Sequence, residues 1–223
     1  MSKKKYFIII ALVAVLAVVA VAVYAVQQSQ ELTVGVKAGD IFTYKMTGTV
    51  EIPSDDVPIP ENILDVNNVE YYRVEITNVD FPFVSYIEST RFKNGTEHSY
   101  DGTINVKNGV NTGEGNFWGI FVAGLSKGSL SRPDVINGAV VNDTETRTYL
   151  DGDRKINFLR AEAEFYDADD ETLSRKYNIF TYTYFDKQIG ILVELKDMRI
   201  YNDPQIMITV VWELIDSNVL QVS

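Results

Sequence analysis

Cysteine is absent from this chain of 223 residues, and histidine is nearly so, with His98 its single copy. Without thiols there are no disulfides, no thiolate nucleophile, and no Cys-ligated zinc or iron–sulfur cluster. One histidine excludes a multi-histidine metal centre within one chain, and His98 itself reads as a polar strand residue beside a turn. Proline is scarce: of six in all, Pro53, Pro58 and Pro60 fall within 53–68, which is therefore expected to be an exposed loop. Positive charge is also in short supply, 20 Lys and Arg against 31 Asp and Glu, for a net −11. The first thirty residues contain Lys3, Lys4 and Lys5 and no acid, so the remainder carries −14. Such a surface repels nucleic acid and anionic lipid headgroups, and neither is expected as a partner of the folded part.

What is present begins with Tyr6–Val26, a stretch free of charge and rich in Ala, Val, Leu and Ile. As a helix it would span roughly 31 Å, the thickness of a bilayer's hydrocarbon core. The lysines flank one end only, which by the positive-inside rule keeps the N-terminus cytoplasmic and sends the rest outside. The competing reading is a cleaved signal peptide cut near Val23-Tyr24-Ala25; its apolar region would be unusually long, so a retained signal-anchor over 1–26 is favoured. The segment holds no ionisable residue, and nothing in it points to transport. Residues 27–31 read as a polar spacer, leaving 32–223 as one extracytoplasmic domain at the cell membrane.

That domain is dominated by alternation of period two. Phe42, Tyr44, Met46, Gly48 and Val50 alternate with polar neighbours, as do Tyr72, Val74 and Ile76, and near the end Ile206, Ile208, Val210, Trp212 and Leu214 share one strand face. Turn dipeptides punctuate these runs: Asn94-Gly95, Asp101-Gly102, Asn108-Gly109, Asn137-Gly138 and Asp151-Gly152, with a further hairpin loop at 186–190. About ten strands are expected, at 32–37, 41–52, 69–78, 83–93, 97–106, 138–149, 155–166, 176–186, 190–201 and 205–216. The expected fold is mainly β, one curved antiparallel sheet of half-barrel or barrel-like form with at most one short helix. Asn116–Leu125, apolar after Asn116 and broken by Gly119 and Gly124, is predicted to be a short helix or turn packed on the sheet.

Several short stretches carry a resemblance. Val36-Lys37-Ala38-Gly39-Asp40-Ile41-Phe42-Thr43-Tyr44, Phe92-Lys93-Asn94-Gly95-Thr96-Glu97, Thr146-Arg147-Thr148-Tyr149 and Tyr184–Glu194 resemble uncharacterised archaeal membrane-anchored surface proteins. This implies a β-rich extracytoplasmic domain and brings no catalytic residues with it. The aspartate–turn–glycine hairpin is also similar to those of bacterial half-barrel lipoprotein carriers, although the lipobox cysteine is missing.

Few groupings carry chemistry. Asn94-Gly95-Thr96 and Asn142-Asp143-Thr144 are N-glycosylation sequons, which the expected topology places outside the cell. Asp167, Asp169, Asp170 and Glu171 form an acidic loop, a weak calcium candidate without EF-hand spacing and more simply a solvated turn. There is no nucleophile elbow, P-loop or dinucleotide fingerprint, so the protein is expected not to be an enzyme and to need no cofactor. Tyrosines are abundant in the strands; sheet packing explains them, and if a ligand cleft exists, Phe117, Trp118 and Phe121 are expected near it. The leading expectation is a surface domain that binds or displays an apolar ligand, a glycan or another surface protein. A carrier or sensor with an apolar pocket, a glycan-active enzyme using paired carboxylates, and a filament or layer subunit are the alternatives.

Overall fold

The computed structural model describes residues 32–51, 61–150, 152–166, 176–202 and 205–221. The expected anchor Tyr6–Val26, the spacer 27–31, residues 53–60 of the proline-rich loop and the acidic loop from Asp167 to Glu171 lie outside the described residues. Among the described residues no helix is long and apolar enough to cross a membrane.

The protein is mainly β. In chain order the elements are β1 (Ile41–Glu51), α1 (Glu61–Asn68), β2 (Val69–Asp80), β3 (Phe83–Phe92), β4 (Glu97–Asn105) and β5 (Asn111–Gly113). There follow β6 (Asp143–Tyr149), β7 (Gly152–Tyr166), β8 (Lys176–Asp186), β9 (Leu192–Asn202) and β10 (Gln205–Ser217). All ten strands join one antiparallel sheet in the order β5-β4-β3-β2-β1-β10-β9-β8-β7-β6. The sheet is open, with β5 and β6 as its edges. Its middle is the pairing of β1 with β10, from Phe42 opposite Ser217 to Glu51 opposite Met207.

Alternating side chains sort onto two faces. Phe42, Tyr44, Tyr72, Val74, Ile76, Tyr86, Leu195, Phe185 and Leu214 are buried and fall on one of them, the covered face. What covers it is the long connection from β5 to β6, whose residues Phe117, Ile120, Phe121, Val122 and Leu125 are all buried. This insert is not a helix. It runs as irregular chain, tied by Phe121 N–H to Gly190 O at 2.6 Å, Leu192 N–H to Gly119 O at 2.8 Å and Ala123 N–H to Thr33 O at 2.9 Å. An extended path satisfies its amides against 187–192 and leaves its side chains free to enter the core.

Three further expectations are corrected. Residues 32–37 make only an isolated bridge, Thr33 with Ala123, because they line the insert and not the sheet. The helix falls within the expected loop: α1 packs where Gly48 leaves room, since a Cβ there would meet Ile63 Cγ2 at 2.9 Å. Asn67 completes that contact by accepting from Gly48 N–H and donating to Gly48 O, both at 2.8 Å, where β2 no longer flanks β1. Asp101-Gly102 is not a turn but the interior of β4; its glycine lets the Tyr86 ring lie where a Cβ would come within 2.6 Å.

Gly190 tests the seating of the insert. It has φ +72°, and a Cβ there would lie 2.2 Å from the carbonyl oxygen of Phe121. Gly190→Ala is expected to lower unfolding free energy by about 2–4 kcal/mol, through left-handed strain plus overpacking. Denaturant titration measures it; a loss under about 0.5 kcal/mol would show the insert adapting freely.

Candidate functional site

The covered face divides in two along the strands. In one half the insert fills the space. Phe117, 2% exposed, sits among the rings of Tyr44, Tyr72 and Tyr86 at centroid distances of 5.7, 6.1 and 6.1 Å. Phe121, also 2% exposed, stacks on Phe185 at 4.3 Å. Trp118 stands edge-on to Phe121 at 6.1 Å and is 36% exposed. Of the three residues expected at a ligand cleft, Trp118 and Phe121 meet, whereas Phe117 packs among the tyrosines; two are core and one is at the surface.

Polar groups fasten this half. Glu88, 7% exposed, accepts through Oε2 from Tyr72 OH at 2.6 Å and from the amides of Asn116 and Phe117 at 3.0 and 2.9 Å. At the far end, fully buried Asn157 donates to Leu125 O at 2.9 Å and accepts from Thr144 Oγ1 at 2.7 Å. Arg132 lies over the Phe121 ring at 4.3 Å and donates to the carbonyls of Val106, Trp118 and Ile120. Burial pulls its guanidinium down to about 10. Tyr44 is raised by burial; Tyr72 and Tyr86 are raised by burial and then by the neighbouring Glu88 carboxylate. Alternation marked the tyrosines as core, whereas nothing local in the sequence identified Glu88, Asn157 or Arg132 as fasteners.

The other half is covered only in part. Ile63 of α1 packs on Ile206 and Ile208, with Val50, Val210 and Tyr201 around them. Beyond α1, the continuation of this face across β7, β8 and β9 is half-buried or exposed: Ala161, Ala163, Ile179, Thr181, Asp197 and Arg199. Phe165, Tyr177 and Tyr201 stack in a row across the three strands at 5.9 and 4.9 Å. Within this apolar area lies one polar group: Asp197 accepts from Thr181 Oγ1 at 2.9 Å and faces Arg199 Nε at 3.5 Å. Asp197 is 20% and Arg199 38% exposed, so both reach solvent.

The opposite face carries Arg147, held between Glu145 at 2.6 Å and Glu194 at 2.8 Å and lying 4.2 Å over the Tyr184 ring. Burial alone would lower Arg147; its bonds to the two glutamates outweigh that and raise it. Among the described residues no three acidic or histidine side chains gather to hold a metal ion. The sequons differ. Asn94 is exposed at the β3–β4 turn, its Oδ1 accepting from Thr96 N–H at 2.9 Å. Asn142 is engaged: its Oδ1 accepts from Arg160 N–H at 2.6 Å, and its own N–H donates to Phe158 O at 2.8 Å. No family model, curated protein or solved structure matches this chain.

The buried phenols set the alkaline limit. A tyrosine whose folded pKa is raised gives stability that is intact below its unfolded pKa, about 10, and lost as pH climbs above it. Arg132, lowered when folded, acts in the opposite direction over the same range, but three phenols oppose one guanidinium. Cooperative unfolding above about pH 10 is expected, with buried tyrosinate absorbance and loss of near-ultraviolet circular dichroism coinciding. Tyrosinate forming at all positions in a still-folded protein would contradict the core assignment.

Proposed function

We propose that this chain is a single-pass, membrane-anchored extracytoplasmic domain without catalytic activity, whose sheet binds an apolar or amphiphilic ligand. In this reading Tyr6–Val26 is the anchor and the sheet curls as a half-barrel around its own insert. The ligand lies on the half of the covered face that the insert leaves free. The observation that supports it is the continuity of one apolar face, filled by Phe117 and Phe121 at one end and half-exposed over β7–β9 at the other. A molecule that extends the packing of the insert would bury the same class of side chain, and the Thr181–Asp197–Arg199 group would orient its polar end.

Two outcomes are expected. A dansyl-labelled fatty acid is bound by the wild type with enhanced dansyl emission, and Ala161→Glu with Ala163→Glu weakens binding at least about tenfold, since a carboxylate is placed on the apolar area. Both alanines are exposed, so thermal unfolding is expected to shift little. Unchanged binding in the double variant would place the ligand elsewhere. On export in a glycosylating host, Asn94→Gln is expected to remove the added glycan mass and Asn142→Gln to leave it. Asn94 presents a free turn, and the Asn142 amide caps β7. A glycan on Asn142 alone would reverse this assignment, and digestion of every exterior residue only after cell lysis would overturn the topology.

A further inference from the structure

Strand β7 outruns its neighbour. Its pairing with β6 ends at Phe158 opposite Asp143, whereas its pairing with β8 continues to Tyr166 opposite Lys176. Asn142 closes the shorter ladder by donating from its amide to Phe158 O and accepting from Arg160 N–H. In an antiparallel ladder, residues two apart turn their amides to the same side. The N–H and C=O groups of Glu162, Glu164 and Tyr166 therefore face the way Arg160's do, away from β8. Among the described residues no strand lies along that side.

Such an edge is a template for strand addition. Its side chains define what fits. Ala161 and Ala163 leave space on the covered face, and Glu162 and Glu164 project from the opposite one. Their ion pairs, with Arg160 at 3.3 Å and Lys176 at 3.1 Å, are all about half exposed and so exchange readily with a competing cation. A second copy fits poorly. Self-pairing sets Glu162 near its own kind. The other free edges among the described residues, β6 from Asp143 to Tyr149 and β4 from Glu97 to Tyr100, carry Asp143, Glu145 and Glu97 against a single Arg147 that Glu145 and Glu194 already hold. Like charges directly opposite one another destabilise strand pairing.

We propose that the β7 edge at 161–166 is a docking site for an extended peptide segment with basic residues at alternate positions and apolar residues between them. The segment adds as an eleventh strand, bonding the outward groups of Glu162 and Glu164 while its cations meet their carboxylates. The site shares Ala161, Ala163 and Phe165 with the ligand area but binds through the backbone edge of β7, so it stands whether or not that area binds lipid.

The test uses the peptide acetyl-Lys-Val-Lys-Val-Lys-Val-amide and amide exchange read by NMR. Binding is expected to slow exchange at Glu162 and Glu164 at least about tenfold, and the matching Glu-Val peptide to leave both unchanged. Glu162→Pro removes an amide that bonds to nothing within β7–β8, so it is expected to abolish binding with Ala161 and Ala163 still protected by β8. A peptide N-methylated on alternate residues serves as a second control should that variant not fold, and it is expected not to bind. Unchanged exchange at Glu162 and Glu164 with millimolar peptide, or equal binding by the Pro variant or the methylated peptide, would overturn the proposal. Protection that rises with protein concentration in the absence of peptide would also overturn it, making a second copy the occupant.

Discussion

The carboxylate of Glu88 is where sheet and insert hold each other. A buried carboxylate without partners is costly, and so are buried amides without acceptors. Here each answers the other. Tyr72 OH and the amides of Asn116 and Phe117 converge on one oxygen, in bonds strengthened by its charge. With those amides fixed, the Phe117 ring has one place to go, among Tyr44, Tyr72 and Tyr86. Asn157 does the corresponding work at Leu125, so the apolar run between the two anchors cannot slide along the sheet. A domain without cysteine thus obtains its register from hydrogen bonds in a dry environment.

The same arrangement explains why one half of the face is left over. The insert reaches from Glu88 on β3 to Asn157 on β7 at one end of the strands, and α1 shields only the region around Gly48, Ile206 and Ile208 at the other. Between these two covers, much of the face across β7, β8 and β9 is left half-buried or exposed. Their exposed continuation keeps the apolar and aromatic character of a core, with Thr181, Asp197 and Arg199 as one hydrogen-bonded exception.

Much of the strand framework was legible because alternation is a local property: β8 was expected at 176–186 and lies at Lys176–Asp186, and β1, β2, β3, β4 and β10 fall within about two residues of their expected ends. What was not legible depends on distant partners. Asp101-Gly102 has the composition of a turn, and only the Tyr86 ring lying across it shows why glycine is needed in mid-strand. Three prolines hid α1, whose reason for existing is the space over Gly48 on β1. The strand β5 is three residues long and carries no pattern to read. Phe117, Trp118 and Phe121 were expected near a cleft if one exists, and their composition does not say whether they would line a cavity or fill one. The uncovered area drew no attention because its residues come from β7, β8 and β9, and no single stretch of sequence contains it.

The central pairing of β1 with β10 has a kinetic consequence. The amide of Ile41 bonds to Asn218, 177 positions further along the chain. The sheet's middle therefore joins its first strand to its last, and the two lateral groups of strands touch through a seam that exists only once β10 has been made. High contact order of this kind slows folding and leaves unpaired edges exposed in the nascent chain. The body cannot mature piecemeal as it leaves the ribosome; its two lateral groups of strands close on each other only in a late event, when β10 finds β1.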